Sequence, residues 1–223
     1  MKQNIMYIDF AIIDTDLDEK AAKEKISKVM ITGVNSITVP YYLIKPCKHL
    51  VNTNIQDISC FIDFPLGISD IKTRKCAVEN AINAGANSVD ISMPQNLATN
   101  RKYEKIREDI KNIKEICSEK KVKIKYVLEY RIFDHRCLKK ICEIFDTFQI
   151  EYAYPSTGFF LDNLADNLIA SSFLHQNSKE LNIICSGDCW LEKHFDMIAR
   201  SGIYGFRTFS PHIVKNFKNF ISR

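Results

Sequence analysis

Three charged residues, Asp90, Lys125 and Glu129, lie in segments that otherwise have the apolar composition of buried β-strands. A carboxylate beside an amine is a combination used in catalysis, because the carboxylate can act as a general base and the lysine as a nucleophile. The same pair can also be a structural ion pair that neutralises buried charge. The sequence around these residues must therefore show whether they serve catalysis or form a structural ion pair.

The two segments alternate polar and apolar side chains. In residues 88–93, Ser88, Asp90 and Ser92 fall on one face of a strand, and in residues 124–130 Lys125 and Glu129 share a face. Successive side chains of a strand point to opposite faces. A parallel strand that is covered on both sides normally has an almost continuous apolar sequence. These strands therefore either face water or line a polar site.

Short apolar runs alternate with longer segments of helical periodicity along the whole chain, which predicts an α/β fold. The predicted strands are 6–9, 36–39, 59–64, 88–93, 123–130, 152–154, 182–186 and 205–208. The predicted helices are 18–32, 42–51, 71–84, 103–118, 135–148, 164–175, 189–201 and 211–221. Eight strands, each followed by a helix, indicate a (β/α)₈ TIM barrel as a single domain over residues 1–223, with a doubly wound open sheet as the alternative.

A closed barrel explains the alternation. The apolar faces of the strands would pack on the surrounding helices, and Asp90, Ser92, Lys125 and Glu129 would point into the barrel. Active sites of such barrels lie at the carboxyl ends of the strands. We therefore expect Asp90 and Lys125, with Tyr154, to line one pocket at that end.

The composition narrows the class of protein. The chain has 223 residues and a formal net charge of +4, which is too small to indicate a nucleic-acid partner. Its eight cysteines form no zinc-binding spacing, and no apolar run approaches the roughly 20 residues of a membrane helix. We expect a reduced, cytoplasmic protein that binds neither nucleic acid nor membrane, and we expect no metal and no cofactor.

Six segments, in the same order and at similar spacing, resemble the class I deoxyribose-phosphate aldolases. They are Tyr-Ile-Asp at 7–9, Phe-Ile-Asp-Phe-Pro-Leu-Gly at 61–67, Ala-Ile-Asn-Ala-Gly-Ala-Asn-Ser-Val-Asp at 81–90, Ile-Lys-Tyr-Val-Leu-Glu at 124–129, Ser-Thr-Gly-Phe at 156–159 and Cys-Ser-Gly at 185–187. The resemblance implies a TIM barrel and an ancestry in aldol chemistry. It also matches Asp9, Asp90 and Lys125 to the Asp, Asp and Lys of the family's active site.

The chain departs from the family at four positions. The resemblance places the Schiff-base lysine at Tyr154 and a second lysine at Ile184. The phosphate-binding loops carry Asp188 in place of a glycine and Arg207 in the closing motif. A carboxylate repels phosphate, whereas Arg207 could still bind an anion. We therefore expect a divergent member that lacks the usual Schiff-base lysine and does not cleave deoxyribose phosphate.

Several candidate residues can be interpreted either as catalytic or as structural groups. Lys125 could form an imine, orient a carboxylate or only neutralise Asp90 or Glu129. Tyr154 could be a general acid, stabilise an enolate oxygen or be a core aromatic. Asp9, Asp63, Glu129 and Asp188 could form an all-oxygen metal site, although no spacing motif supports one. The candidate catalytic residues are Asp9, Asp90, Lys125, Glu129 and Tyr154, and the candidate substrate-binding residues are Thr38, Asp63, Ser92, Ser156, Thr157, Ser186, Asp188 and Arg207.

Two functions follow from these expectations. The first is an aldolase-related lyase or another carbonyl-handling enzyme that acts on a small, non-standard substrate, with a homodimer as one possible assembly. The second is a non-catalytic, aldolase-like barrel with a binding or regulatory role. An enclosed polar pocket at the mouth of the barrel, with Asp90, Lys125 and Tyr154 within hydrogen-bond reach, favours the enzyme. Filled packing at the mouth favours the second function.

Overall fold

The computed structural model describes residues 6–53, 56–159, 163–178, 180–187, 189 and 191–222. Its eight parallel strands form a closed barrel in which each strand pairs with the next along the chain and β8 pairs with β1. The strands are β1 (Tyr7–Ala11), β2 (Ser36–Val39), β3 (Asp57–Ile62), β4 (Ser88–Ser92), β5 (Lys123–Val127), β6 (Tyr152–Tyr154), β7 (Asn182–Cys185) and β8 (Gly205–Thr208). The predicted (β/α)₈ TIM barrel is confirmed, and the open-sheet alternative is wrong.

The helices surround the barrel. They are α1 (Glu19–Met30), α2 (Tyr41–Cys47), α3 (Ile71–Ala84), α4 (Gln95–Thr99), α5 (Tyr103–Lys120), α6 (His135–Phe148), α7 (Leu164–Asn177), α8 (Glu192–Arg200) and α9 (Pro211–Ile221). The short helix α4, between β4 and α5, was not predicted. Two 3₁₀ turns follow α2 and β5, at Lys48–Leu50 and Tyr130–Ile132. No helix within the described ranges combines the length and the apolar character that a membrane span needs.

Several helices begin where a short polar side chain caps the backbone. Asp18, Asp70 and Asp134 precede α1, α3 and α6, and each carboxylate accepts a hydrogen bond from a backbone N–H of the first turn at 2.7–2.8 Å. Such caps satisfy N–H groups that have no partner inside the helix. Gly85 ends α3 with φ +113°, a left-handed conformation that favours glycine. These local signals fix where the helices begin and end.

The alternation of the strands sorts side chains as expected. Val89, Ile91, Tyr126 and Leu128 are fully buried in the core between the strands and the helices. A second, smaller apolar cluster lies inside the barrel and consists of Val127, Tyr154 and Ile184, with Tyr7 and Tyr152 packed against it. The barrel interior therefore has an apolar side next to the polar groups of the remaining strands.

Candidate active site

Arg207 of β8 lies at the centre of the barrel between two carboxylates. Its Nε donates to Asp9 Oδ2 at 2.5 Å, and its Nη2 donates to Asp90 Oδ2. All three side chains are completely buried. Because β8 neighbours β1 while β4 lies on the other side of β2 and β3, the guanidinium spans the interior of the barrel. Lys125, which the sequence also predicted to point inward, lies on the side of Asp90 that faces away from Arg207.

Two hydroxyls complete the surroundings of these carboxylates. Thr38 Oγ1 lies 3.0 Å from Asp9 Oδ1 and 3.2 Å from Asp90 Oδ2, and it accepts a hydrogen bond from Arg207 Nη2 at 3.0 Å. Ser59 Oγ donates to Asp90 Oδ1 at 2.5 Å. A buried carboxylate is stable when its oxygens accept several hydrogen bonds and face a positive charge. Asp90 therefore has the partners that a permanently ionised group requires.

Lys125 extends this arrangement toward the other end of the barrel. Its Nζ lies 3.7 Å from Asp90 Oδ1 and 3.9 Å from Asp57 Oδ2, and it donates to Ser36 Oγ at 3.0 Å. Asp57 in turn accepts from Tyr7 Oη at 2.9 Å. Charges of alternating sign thus run through the barrel, and we call this series the axial ion chain: Asp57, Lys125, Asp90, Arg207 and Asp9.

The expected position of Lys125 at the mouth is wrong. The side chain does point into the barrel, as strand parity predicted, but its ammonium group contacts Ser36 and Asp57, which are the first residues of β2 and β3. A lysine side chain is long enough for its nitrogen to lie well away from its own backbone. Here the carboxylate of Asp57 attracts the nitrogen toward the amino-terminal half of the barrel.

Tyr154 of β6 stacks on the central arginine. Its ring centroid lies 3.7 Å from Arg207 Cζ, and its hydroxyl donates to Asp9 Oδ2 at 3.4 Å. A guanidinium over an aromatic face is attracted by the ring electrons, and more strongly when both groups are desolvated. Burial raises the pKa of the Tyr154 hydroxyl well above its ordinary value, so the phenol stays neutral. Tyr154 and Arg207 together fill the middle of the barrel.

A second polar group lies beyond the carboxyl ends of β5, β6 and β7. Glu129 Oε2 accepts from Thr157 Oγ1 at 2.9 Å and from the Thr157 backbone N–H at 3.4 Å. Ser156 Oγ and Ser186 Oγ are 2.9 Å apart, and Ser156 Oγ also donates to Asn167 Oδ1 at 3.2 Å. All five residues are buried. The structure thus separates the predicted site into the axial ion chain and this group.

Phenylalanines line part of the mouth. The rings of Phe61 and Phe64 are 4.3 Å apart, and those of Phe64 and Phe159 are 5.9 Å apart in an edge-to-face arrangement. Phe61 also lies over the guanidinium of Arg207, with its centroid 5.5 Å from Cζ. Beside them, Gly158 has φ +67°, a left-handed conformation that favours glycine, and a Cβ there would lie 2.6 Å from the Phe209 ring. The polar and apolar alternation of the strands does not predict a role for these phenyl groups at the mouth.

The carboxylate of Asp63 is held by hydrogen bonds from neighbouring residues of the protein. Its backbone has φ +55°, and its carboxylate accepts hydrogen bonds from Ser69 N and Ser69 Oγ and from Arg74 Nη1 at 2.7 Å. Arg74 also contacts Asp109 with two nitrogens and the Ser92 carbonyl oxygen. A contact between Asp63 and a substrate stays a prediction. Asp188, the acidic candidate in the phosphate-binding loops, lies outside the described residues.

The charges around Asp90 determine its protonation. Burial alone would raise its pKa, but the nearby charges of Lys125 and Arg207 outweigh burial and hold the pKa below the usual range. The opposite balance holds for Asp109, whose pKa is raised by burial despite its contact with Arg74. Asp90 is therefore a carboxylate at neutral pH.

Acid should destabilise the protein through Asp90. A group whose pKa is lower in the folded state contributes stability above its unfolded pKa, about 3.9, and loses it as the pH falls through the folded value. We expect the free energy of unfolding, measured by urea titration between about pH 5 and pH 2, to fall with decreasing pH. The fall should be smaller in Asp90→Asn and unchanged in the exposed control Asp16→Asn. An equal fall in Asp90→Asn would contradict the assignment.

Comparison with known proteins identifies relatives. No family model matches the chain. A deoxyribose-phosphate aldolase of Mesoplasma florum is 27% identical over 159 residues, which cover 71% of each protein. The deoxyribose-phosphate aldolase of Mycoplasmopsis synoviae is 29% identical over 154 residues, covering 65% of this chain and 67% of the relative. This chain is related to the deoxyribose-phosphate aldolases.

Solved structures agree on the barrel fold. An aldolase named QR15 superposes with a TM-score of 0.86 at 23% identity, covering 100% of this chain and 98% of the other. The deoxyribose-phosphate aldolase of Aeropyrum pernix, described as a unique tetramer, superposes with a TM-score of 0.82 at 15% identity, covering 95% and 89%. At these identities the likeness concerns the barrel itself. The resemblance to the aldolase family that the sequence motifs predicted is confirmed.

Proposed function

We propose that this protein is an aldolase-like barrel that no longer forms an imine with a substrate and that acts by binding or regulation. The observation that carries the proposal is the position of Arg207, which is completely buried, bridges Asp9 and Asp90 and stacks on Tyr154. These groups occupy the space in which a small substrate would meet the inward-facing residues. Filled packing was the outcome expected for a non-catalytic barrel.

The environment of Lys125 supports the same conclusion. Imine formation requires an uncharged amine that a carbonyl carbon can approach. The Lys125 side chain is 1% exposed, and its nitrogen faces the carboxylates of Asp57 and Asp90. Both positions that the family resemblance assigns to lysine, Tyr154 and Ile184, are fully buried. We therefore interpret Lys125 as a structural counter-ion and Arg207 as an internal one rather than as an anion receptor.

A carbonyl-handling enzyme remains the second candidate. It is favoured by the 3.7 Å distance between Lys125 Nζ and Asp90 Oδ1, because an amine beside a carboxylate is the pair that imine chemistry needs. It is also favoured by sequence relatives that are named deoxyribose-phosphate aldolases. In that case Asp9, Glu129 and Tyr154 would serve as further acid–base groups, and a small carbonyl compound would be the substrate.

Trapping with borohydride distinguishes the two candidates. Borohydride reduces an imine to a stable amine, so a substrate-linked lysine is detected as an increase in intact mass. When the protein is incubated with borohydride and either 2-deoxyribose 5-phosphate or a simple aliphatic aldehyde, we expect no adduct beyond the background that exposed lysines give. We also expect no cleavage of 2-deoxyribose 5-phosphate at rates near the usual enzyme range of about 1–10³ s⁻¹.

The variant Lys125→Met is the matched control for this experiment, since it removes the inward lysine. An adduct or turnover that is present in the natural protein and absent in Lys125→Met would overturn the proposal and establish the enzyme. An adduct of equal yield in both proteins would come from surface lysines and would leave the barrel without imine chemistry.

A further inference from the structure

A cavity of about 800 Å³ lies at the amino-terminal end of the barrel, opposite the mouth. It is bounded by the segments that lead from α5 into β5 and from α6 into β6, together with the start of β7. Ligand sites typically have volumes of about 300–1,000 Å³, so this space suits a small molecule. None of the described candidate catalytic or substrate-binding residues lines it.

The helices α5 and α6 end in the same way beside this cavity. In each case the backbone N–H of a buried apolar residue, Val122 or Ile150, donates to a carbonyl oxygen five residues earlier. The residue just before it, Lys121 or Gln149, has a left-handed backbone with φ +56° or +50°. Glycine is the usual residue at this position, because a Cβ is disfavoured there. The chain itself ends α3 by the same motif with a glycine, Gly85.

The two residues that take the place of this glycine both line the cavity. Neither the Lys121 nor the Gln149 side chain has a hydrogen-bond or ion-pair partner elsewhere in the described part of the chain. No contact within the protein therefore accounts for a long polar side chain at either position. A ligand in the cavity would account for both, since it would contact the ends of α5 and α6 together.

Charges of both signs surround the space. Among the described residues, three basic and three acidic side chains line it: Lys114, Lys121, Lys123, Asp146, Glu151 and Glu180. Lys114, Lys123 and Asp146 already contact other groups of the protein. The side chains of Lys121, Glu151 and Glu180 are exposed and have no such partner within the described ranges. The free charges are thus one cation and two anions.

This mixture of charges selects against ligands of a single charge. A nucleotide or another polyanion would face Glu151 and Glu180, and a polyamine would face the three lysines. A zwitterion can place its carboxylate near Lys121 and its ammonium group near the acidic residues. The amides of Gln149 and Asn182, which also line the cavity, can contact either group, because an amide both donates and accepts hydrogen bonds.

Apolar side chains contribute to the lining as well. They are Val122, Ile124, Ile150 and the ring of Tyr152. The Tyr152 ring packs on Tyr204, with the two centroids 5.7 Å apart. Burial raises the pKa of the Tyr152 hydroxyl to about 12, so this side chain adds no charge at neutral pH. The cavity can therefore hold an apolar group next to a zwitterionic one.

We propose that this cavity binds a free amino acid with an aliphatic or aromatic side chain. Its carboxylate pairs with Lys121, and its ammonium group pairs with Glu151 or Glu180. The proposal does not rest on the absence of imine chemistry, because the cavity lies opposite the mouth and an amino acid has no aldehyde or ketone group. The ligand also lies next to the axial ion chain, since Lys123 lines the cavity and contacts Asp57 at 2.8 Å.

Isothermal titration calorimetry with L-leucine and L-phenylalanine tests the class of ligand. For leucine, 4-methylpentanoate lacks only the ammonium group and 3-methylbutylamine lacks only the carboxylate. The corresponding analogues of phenylalanine are 3-phenylpropanoate and 2-phenylethylamine. We expect at least one of the two amino acids to bind about tenfold or more tightly than either of its analogues. No binding of both amino acids, or analogues that bind as tightly, would overturn the proposal.

Substitutions to glycine test the location. In Lys121→Gly and Gln149→Gly the new residue suits the left-handed backbone, so the urea midpoint should stay the same or rise. The amino acid should nevertheless bind about tenfold or more weakly to Lys121→Gly. Arg101→Gly is the matched control, because Arg101 is also basic and exposed and has φ +55° but lies outside the cavity. Unchanged binding to Lys121→Gly, or an equal loss in Arg101→Gly, would overturn the proposal.

A double variant tests the partner of the ammonium group. Glu151→Gln with Glu180→Gln removes both free negative charges and keeps the size of the side chains. This variant should lose the preference for the amino acid over the analogue without an ammonium group. It should keep the preference over the analogue without a carboxylate, which depends on Lys121. If the double variant kept both preferences in full, the acidic residues would not be the partners and the proposal would fail.

Discussion

Replacing Arg207 with methionine should lower the free energy of unfolding by about 3–5 kcal/mol, because the change leaves two buried carboxylates without their shared cation. Asp9 and Asp90 are both completely buried and both accept hydrogen bonds from the guanidinium. Methionine retains much of the apolar volume, so the loss reports on charge rather than on a cavity. Urea titration at constant protein concentration measures the effect as a shift of the midpoint.

The matched control is Arg200→Met on α8. Arg200 also forms an ion pair, with Asp196 at 2.7 Å, but its side chain is 80% exposed. Exposed pairs of this type contribute at most about 1 kcal/mol. If Arg207→Met were no more destabilising than Arg200→Met, the central arginine would not be the counter-ion of Asp9 and Asp90, and the proposed function would lose its main support.

Lys125→Met should also destabilise the protein by about 3–5 kcal/mol, since it removes a buried cation that lies between Asp57 and Asp90. Lys123→Met is the control, because Lys123 contacts the same carboxylate of Asp57 at 2.8 Å but is 51% exposed. The control should change the free energy of unfolding by at most about 1 kcal/mol. Equal effects of the two substitutions would show that Lys125 is solvated.

A double-mutant cycle of Lys125→Met and Asp90→Asn then measures the interaction between the two residues. Coupled neighbours in an ion-pair network typically show interaction energies of about 0.5–3 kcal/mol. A coupling energy below about 0.5 kcal/mol would mean that Lys125 interacts mainly with Asp57 and that the axial ion chain is broken at Asp90. The cycle therefore tests the continuity of the chain, which neither single substitution can do.

Strand parity was sufficient to predict which residues point into the barrel. Asp90 and Lys125 lie inside and Val89 and Tyr126 outside, because the period of two along a strand does not depend on the rest of the fold. The strand limits were less accurate. The third strand was predicted to begin at residue 59 but begins at Asp57. Asp57 points inward, in alternation with Ser59 and Phe61, and its carboxylate was therefore not predicted to lie inside the barrel.

Contacts that depend on side-chain length or on loops could not be derived from parity. The nitrogen of Lys125 turns toward Asp57, and the rings of Phe64 and Phe159 meet although they belong to segments that follow different strands. Asp63 shows the same limit, since its engagement by Arg74 requires the helix α3 to dock in one particular way. A sequence without aligned homologues contains no direct signal for such long-range pairs.

The axial ion chain divides the barrel into two parts that resist opening differently. Its charges and hydroxyl partners come from β1, β2, β3, β4, β5, β6 and β8, so separating any of these strands from the rest exposes or breaks a buried polar contact. Among the described residues, β7 contributes the apolar Ile184 to the interior, and it pairs with β6 and with β8 through two residue pairs each. Strand β7 is therefore the seam of the barrel, where local unfolding costs the least free energy.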